Sequence, residues 1–246
     1  PYGDYANTHN ADWNPSYERR TIVRFEDGLT VNRLEEARAA RINMNSAEEK
    51  RASVAESLAI AMNEVAFVGY NNGTNRTYGI LNDPNLPNYV TVATGSASGT
   101  AWSTKTFDEI VNDFKVAMSA LRVRTGNNFN PNKDAVTVGI ASSSYDYLQA
   151  MNSLGTTSVF EWLKKTYPNI RLVAVPEFDG ANSTSNVMYF IANSLGGKKV
   201  AGHYIQDVIR LLGVEQHAKG FSEAYSNATA GVLVGQPLGI VRYSGI

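Results

Sequence analysis

Apolar residues recur along one stretch of the chain with a helical beat. Val54, Leu58, Ala61, Val65 and Val68 follow one another at steps of four, three, four and three, the 3.6-residue period of a helix with one buried face. Ser46 followed by Glu49 reads as a capping box at its start. Gly69, Asn71, Asn72 and Gly73 favour turn conformations and stop it near Tyr70. Roughly 25 residues at about 1.5 Å each make a rod of about 37 Å. These five apolar positions are expected to hold the rod, over about 46–70, against a sheet of its own.

Other stretches carry weaker patterns. Tyr17 to Phe25, YERRTIVRF, is rich in β-formers and reads as an edge strand or protruding ribbon. Asp27-Gly28 reads as a turn, and Asn32 with Glu35 as the cap of a short helix to about Ile42, with Leu34 and Ala37 on its buried side. Tyr89 to Ala93 is a predicted strand. Thr106 with Glu109 caps a second helix, striped by Phe107, Ile110, Val111, Phe114, Ala117, Met118 and Leu121 and ending near Arg124. From Ala135 the order is strand (to Ile140), helix (Ser142 to Met151), helix (Ser158 to Lys165) and strand (Ile170 to Val175), a compact α/β lobe. Strands follow at 187–192, 208–214, 231–235 and 238–243. Pro237, which has no amide donor, falls between the last two.

Composition narrows the function classes. With 246 residues and 43% hydrophobic content, the chain can bury one generous core or two smaller ones. A formal net charge of −1 argues against a dedicated nucleic-acid binder, which exploits counterion release through a basic surface. The absence of cysteine removes disulfides, thiolate metal sites and a thiol nucleophile. No apolar run is long enough for a membrane span. The first residue is Pro1, so a trimmed or incompletely represented N-terminus is expected. Four Asn-x-Ser/Thr sequons, beginning at Asn72, Asn75, Asn182 and Asn227, are attributed to a composition rich in Asn, Ser and Thr.

Candidate chemistry is thin. Ser142, Ser143 or Ser144 with His203 or His217 and Asp207 supply the residue types of a hydrolytic triad, but Gly139-Ile140-Ala141-Ser142 lacks the nucleophile elbow. Gly197-Lys198-Lys199 lacks the Ser or Thr and the upstream glycine of a phosphate loop. His9, His203 and His217 are too dispersed for a zinc pattern, and Glu177 and Asp179 read as a solvated turn. Glu35-Glu36 and Glu48-Glu49 lie in first helical turns, where the helix dipole favours negative charge. No catalytic, cofactor or metal site is therefore expected, and the chain reads as a non-enzyme.

The rod's end, Asn63-Glu64-Val65-Ala66-Phe67-Val68-Gly69-Tyr70, is followed by a polar turn and then by Tyr78-Gly79-Ile80-Leu81-Asn82. This order resembles the spine helix and its sequel in major capsid proteins of tailed bacteriophages, the α+β shell proteins of the Hong Kong 97 fold. Residues 231–241, GVLVGQPLGIV, are similar to that family's closing strand pair. The resemblance implies an N-terminal arm and extension loop region over residues 1–31. It further implies a peripheral domain with the spine helix over 32–134, an axial domain over 135–216, and C-terminal strands over 217–246 that return to the sheet.

The function implied is a major capsid protein that self-assembles into hexamers and pentamers of an icosahedral head around double-stranded DNA. Trp13, Tyr17, Arg19, Arg20 and Arg24 become candidate intersubunit contacts, arginines being suited to carboxylates across an interface. Partners implied are portal, scaffolding and decoration proteins, with DNA contacted weakly and without sequence preference. The protein would reside in the virion after assembly in the bacterial host cytoplasm. Some relatives weld subunits through an extension-loop lysine; residues 1–31 contain no lysine, so bands of single-chain mass are expected on denaturing gels. The alternatives are an encapsulin-type nanocompartment shell and a soluble α/β hydrolase-like enzyme using the Ser142 region.

Overall fold

The computed structural model describes residues 17–70 and 74–246. The arm expected over residues 1–16, with Trp13, and the helix-stop residues Asn71, Asn72 and Gly73 lie outside the described residues. In chain order the elements are β1 (Val23–Asn32), α1 (Arg33–Ala40), α2 (Ser46–Val68), β2 (Val90–Thr91) and α3 (Phe107–Arg124). Then come β3 (Val136–Ala141), α4 (Ser142–Tyr145), α5 (Val159–Thr166), β4 (Ile170–Val175) and β5 (Val187–Ala192). The chain closes with β6 (Ser194–Leu195), β7 (Lys198–Lys199), β8 (Ala201–His217), β9 (Gly220–Val234) and β10 (Ile240–Ser244).

Two sheets divide the work. An antiparallel sheet of order β1-β9-β8 carries α2 on one face, and a mixed sheet of order β2-β10-β5-β3-β4 holds the larger core. The rod is α2, 23 residues or about 34 Å. Ala47, Val54, Leu58, Met62 and Val65 are its buried side, and the first three of these pack with Leu29 and Val31 of β1. Ala61 is half-buried, whereas Val68 is 49% exposed, contrary to its expected place in the seat. The wheel explains this: three residues past Val65 the stripe has rotated to the flank, and the chain leaves the sheet at Gly69.

The helix ends are built differently from the sequence expectation at one end and more completely at the other. Asn45, not Ser46, is the N-cap, its Oδ1 accepting from the Glu48 amide at 3.3 Å. At the C-terminus all four last carbonyls are satisfied. Gly69 N donates to Val65 O at 3.0 Å, Ile80 N to Ala66 O at 2.9 Å, Leu81 N to Phe67 O at 3.0 Å, and Asn82 Nδ2 to Val68 O at 2.6 Å. Asn82 Oδ1 in turn accepts from Gly79 N at 2.7 Å. Gly-Ile-Leu-Asn is thus the cap of the long helix.

Three expectations near the N-terminus are corrected. Asp27-Gly28 is not a turn but lies within β1, paired with Tyr225 and Ala224. Of the stretch from Tyr17 to Phe25 only Val23 onward is strand, and it takes the edge-strand alternative, at the edge of a three-stranded sheet. In α1 no residue is buried, Leu34 and Ala37 included; Asn32 makes no side-chain cap, and the Glu35 carboxylate pairs with Lys50 Nζ at 2.7 Å instead of reaching back to the cap amide.

The second helix, grouped by sequence with the rod, packs instead on the mixed sheet. Phe114 meets Phe190 of β5 with ring centroids 5.7 Å apart and Trp102 at 5.5 Å. The strands at 201–217 and 220–234, split by the expected boundary at 216/217, are partners in the α2 sheet. Hairpin pairing overrides chain-order grouping here. Phe178 joins the two lobes, stacking on Tyr189 at 4.6 Å and meeting Phe67 of α2 edge-on at 5.9 Å. The helix expected from Ser142 to Met151 is a single α turn, α4, followed by a 3-10 turn.

The α3 cap has a consequence for acid stability. Glu109 accepts from the amides of Thr106 at 2.8 Å and Ser96 at 2.6 Å, and these bonds hold its carboxyl down to about 2. A depressed carboxyl contributes stability that is present above its ordinary value near 4.5 and is lost as pH falls from there toward 2. In Glu109→Gln the thermal midpoint should fall less steeply than in the native chain between pH 4.5 and pH 2. Melts recorded across that window check this, and parallel slopes would refute it.

Candidate assembly surfaces

The most unusual element is β8. Its residues from His203 to His217 are exposed apart from a half-buried Asp207, although the run carries Tyr204, Ile205, Val208, Ile209, Leu211, Leu212 and Val214, each more than 40% exposed. It is an edge strand, and its pairing with β9 shifts register at four places. Bulges of this kind blunt an edge against ladder pairing, so what β8 offers is apolar side-chain surface rather than a straight row of amides. Between β8 and α2 lies an apolar groove of about 290 Å³ lined by Ala55, Ala59, Met62, Asn63, His203, Val208 and Ile209.

The seat beneath α2 is fixed by polar contacts as well as apolar ones. Arg51 grips Glu223 of β9 through both nitrogens at 2.8 and 2.6 Å, and Tyr225 Oη donates to the same carboxylate at 2.8 Å. The Arg51 hydrogen bond pulls the Glu223 carboxyl below its ordinary value. Asn227, fully buried, donates to Leu58 O at 2.6 Å. A three-stranded sheet with one helix bonded along it makes a braced unit.

Sequence-predicted contact residues fare unevenly. Tyr17 is 88% exposed and Arg19 is exposed. Arg20 is engaged within its own chain: its side chain is only 9% exposed, paired with Asp83 at 2.6 Å and Glu18 at 2.8 Å and lying over the Tyr78 ring at 4.8 Å. It pins the N-terminal stretch to the turn after the rod. Arg24 faces Asp207 of β8 at 3.7 Å across the central strand. Trp13 lies outside the described residues.

The residues considered for hydrolysis are spoken for separately. Ser143 Oγ donates to Asp179 Oδ1 at 2.7 Å, His203 Nε2 meets Thr229 Oγ1 at 2.8 Å, and His217 Nε2 meets Ser222 Oγ at 3.0 Å. Glu177 accepts from Asn63 Nδ2 at 2.9 Å, tying the rod to the second lobe. Among the described residues no cluster of His, Asp or Glu is placed to hold a metal, and no helix is long and apolar enough to cross a membrane.

Sequence reasoning missed β8 as a surface. The run Val208 to Val214 reads only as a strand, because an apolar pattern marks desolvation without telling the chain's own core from another chain. The charges in and beside it, Arg210 inside and Asp207 and Glu215 at its two ends, were the available signal.

A family model described as Pa193 gp26 major capsid protein matches residues 1–245. Among solved structures, the capsid of Myoviridae phage XM1 is similar at TM-score 0.70 and 16% identity, covering 92% of this chain and 74% of that one. A virus-like particle from Pyrococcus furiosus is similar at TM-score 0.57 and 15% identity, covering 93% and 78%. The satellite phage P4 procapsid is similar at TM-score 0.53 and 14% identity, covering 100% and 78%. At these identities the structures speak for the fold. No curated protein sequence matches.

Proposed function

Because the chain belongs to the Pa193 gp26 major capsid protein family, we propose that its copies close into hexamers and pentamers tiling an icosahedral head around double-stranded DNA. It is a major capsid protein of phage heads with the Hong Kong 97 type of fold, a self-associating structural component of the virion and not an enzyme. The encapsulin and hydrolase alternatives give way to that family match. Assembly in the host cytoplasm, with portal, scaffolding and decoration proteins as partners, completes the proposal. DNA is contacted weakly and without sequence preference, in keeping with a net charge of −1.

We assign the peripheral domain to the α2 sheet, 23–68 with 201–234, and the axial domain to the mixed sheet with α3, 90–192 with 240–244. The observation that carries the assembly reading is β8, a 17-residue strand whose apolar side chains are left to solvent by its own chain. Many modest contacts of this kind sum to a stable shell.

Size-exclusion chromatography with negative-stain microscopy tests the reading. The native chain should run as capsomers or closed particles, while Val208→Glu, at a site 68% exposed, should keep the native circular dichroism and melting point yet lose at least ten-fold in assembled fraction. A native chain that stays monomeric at high concentration, or particles unaffected by Val208→Glu, would count against it.

A further inference from the structure

Helix α3 buries Ile110, Val111, Phe114, Ala117, Met118 and Leu121 on one side. On its other side Lys115, Val116, Ser119, Arg122 and Val123 follow one another at helical spacing and all are exposed, Val116 at 49% and Val123 at 73%. The two valines stand two turns apart, about 10.5 Å. A β-branched residue at a water-facing helix position loses rotamer freedom and gains no packing from its own chain. Helix α5 lies alongside. Lys115 Nζ sits 5.2 Å from the centre of the Trp162 ring and Lys164 Nζ 5.8 Å from that of Phe160, and Trp162 meets Tyr167 edge-on at 6.1 Å.

Two observations set this surface apart from an ordinary solvated helix. Lys115, Arg122, Lys164 and Lys165 form no ion pair among the described residues. The carboxylates of the same two helices are committed elsewhere: Asp113 is sealed against Lys105, and Glu161 reaches back to the Ser158 amide at 3.2 Å. Positive charge thus gathers here in a chain whose total is −1. Second, α3 covers a broad face of the molecule. In β5, Tyr189 stacks on Phe178, which touches Phe67 of α2, whereas the next residue, Phe190, meets Phe114 of α3. Successive strand residues point to opposite faces, so α3 lies on the side of the mixed sheet away from the end of the rod.

We propose that this face of α3 and α5 docks an acidic amphipathic helix of a separate protein, its carboxylates against Lys115 and Arg122 and its apolar side chains against Val116 and Val123. The inference rests on the capsid reading above and deepens it by naming the surface that takes an accessory partner. Copies in a single-layered shell meet edge to edge, so a neighbouring copy does not lie over the middle of a broad face. A nucleic-acid backbone would engage the cations through phosphate oxygens and leave the two valines without a role. A helix serves both: apolar residues seven apart match the valines, and glutamates on the flank meet the cations.

The test uses particles of the native chain and a fluorescent helical peptide with leucines at seven-residue spacing and glutamates between them; a second peptide carries lysine in place of each glutamate. By anisotropy, native particles should bind the glutamate peptide at least ten-fold more tightly than the lysine one, and added salt should narrow the gap. Lys115→Glu with Arg122→Glu should fold and assemble as the native chain does and reverse the preference. If particles form normally but do not bind the glutamate peptide, or if the double variant keeps the native preference, the inference is overturned and the capsid reading stands. A double variant with native circular dichroism that fails to assemble makes this face a contact between copies and overturns the separate partner. Double-stranded DNA bound more tightly than the glutamate peptide, through the same two cations, overturns the choice of a protein. Val116→Ser with Val123→Ser keeps every charge and should still weaken the glutamate peptide several-fold; unchanged binding overturns the helix. Should the charge-reversed chain not fold, Lys115→Gln with Arg122→Gln must lose at least ten-fold in peptide binding, and retained binding overturns the proposal. A native chain that forms no particles brings down the capsid reading and this inference with it.

Discussion

Replacing Gly79 by alanine should destabilise the chain by about 3 kcal/mol or more, a large effect for one methyl group. The added Cβ would sit 2.2 Å from Phe67 O and 2.6 Å from Gly69 N, both backbone atoms of the rod's last turn. Neither can yield without breaking the bonds by which Ile80 and Leu81 close the helix. Asn82→Ala, which removes the acceptor of Gly79 N and the donor to Val68 O, should cost about 0.5–1.5 kcal/mol, since water can reach part of the site. Denaturant unfolding measures both. A Gly79→Ala chain within about 1 kcal/mol of native would show that the turn is not what caps the rod.

The second large effect is expected at a buried ion pair in the other lobe. Lys105 Nζ lies 2.6 Å from Asp113 Oδ2, with side chains 1% and 3% exposed, and Trp102 Nε1 donates to the same oxygen at 3.0 Å. Burial pushes the Asp113 carboxyl upward, against the pull of Lys105. Removing only the carboxylate, in Asp113→Ala, strands a desolvated ammonium and should cost about 3–5 kcal/mol. For a chain of this size that is on the order of 10 °C in melting temperature. In Lys105→Met, Asp113→Leu together the charge cost disappears, leaving about 1–3 kcal/mol from the unpaired Trp102 N–H. If the double variant is no more stable than Asp113→Ala alone, the pair is not the source of the effect.

Several features of the fold were legible in particular residues. Thr106 with Glu109 marks a helix start because the capping box is a local exchange of two hydrogen bonds, and it is present. The apolar stripe of α3 faces the core as its period requires. Asp27-Gly28 misled because turn propensity is weak against ladder bonds from Tyr225 and Ala224, some 200 residues away in sequence. Nothing local reveals that Asp83 and Tyr78 will close around Arg20.

The sequence by itself determined the rod, the capped helices, the apolar strands and the family resemblance, since each depends on periodicity or on groups within a few residues of one another. Tertiary structure alone decided which lobe α3 joins, that β8 is an edge with its apolar side chains uncovered, and that Lys115 of α3 and Trp162 of α5 meet on one face. The physical reason is that local bonds are written in neighbouring residues, whereas strand order and the solvent exposure of an apolar side chain are set by long-range pairing. A buried strand and an interface strand carry the same pattern until their neighbours are known.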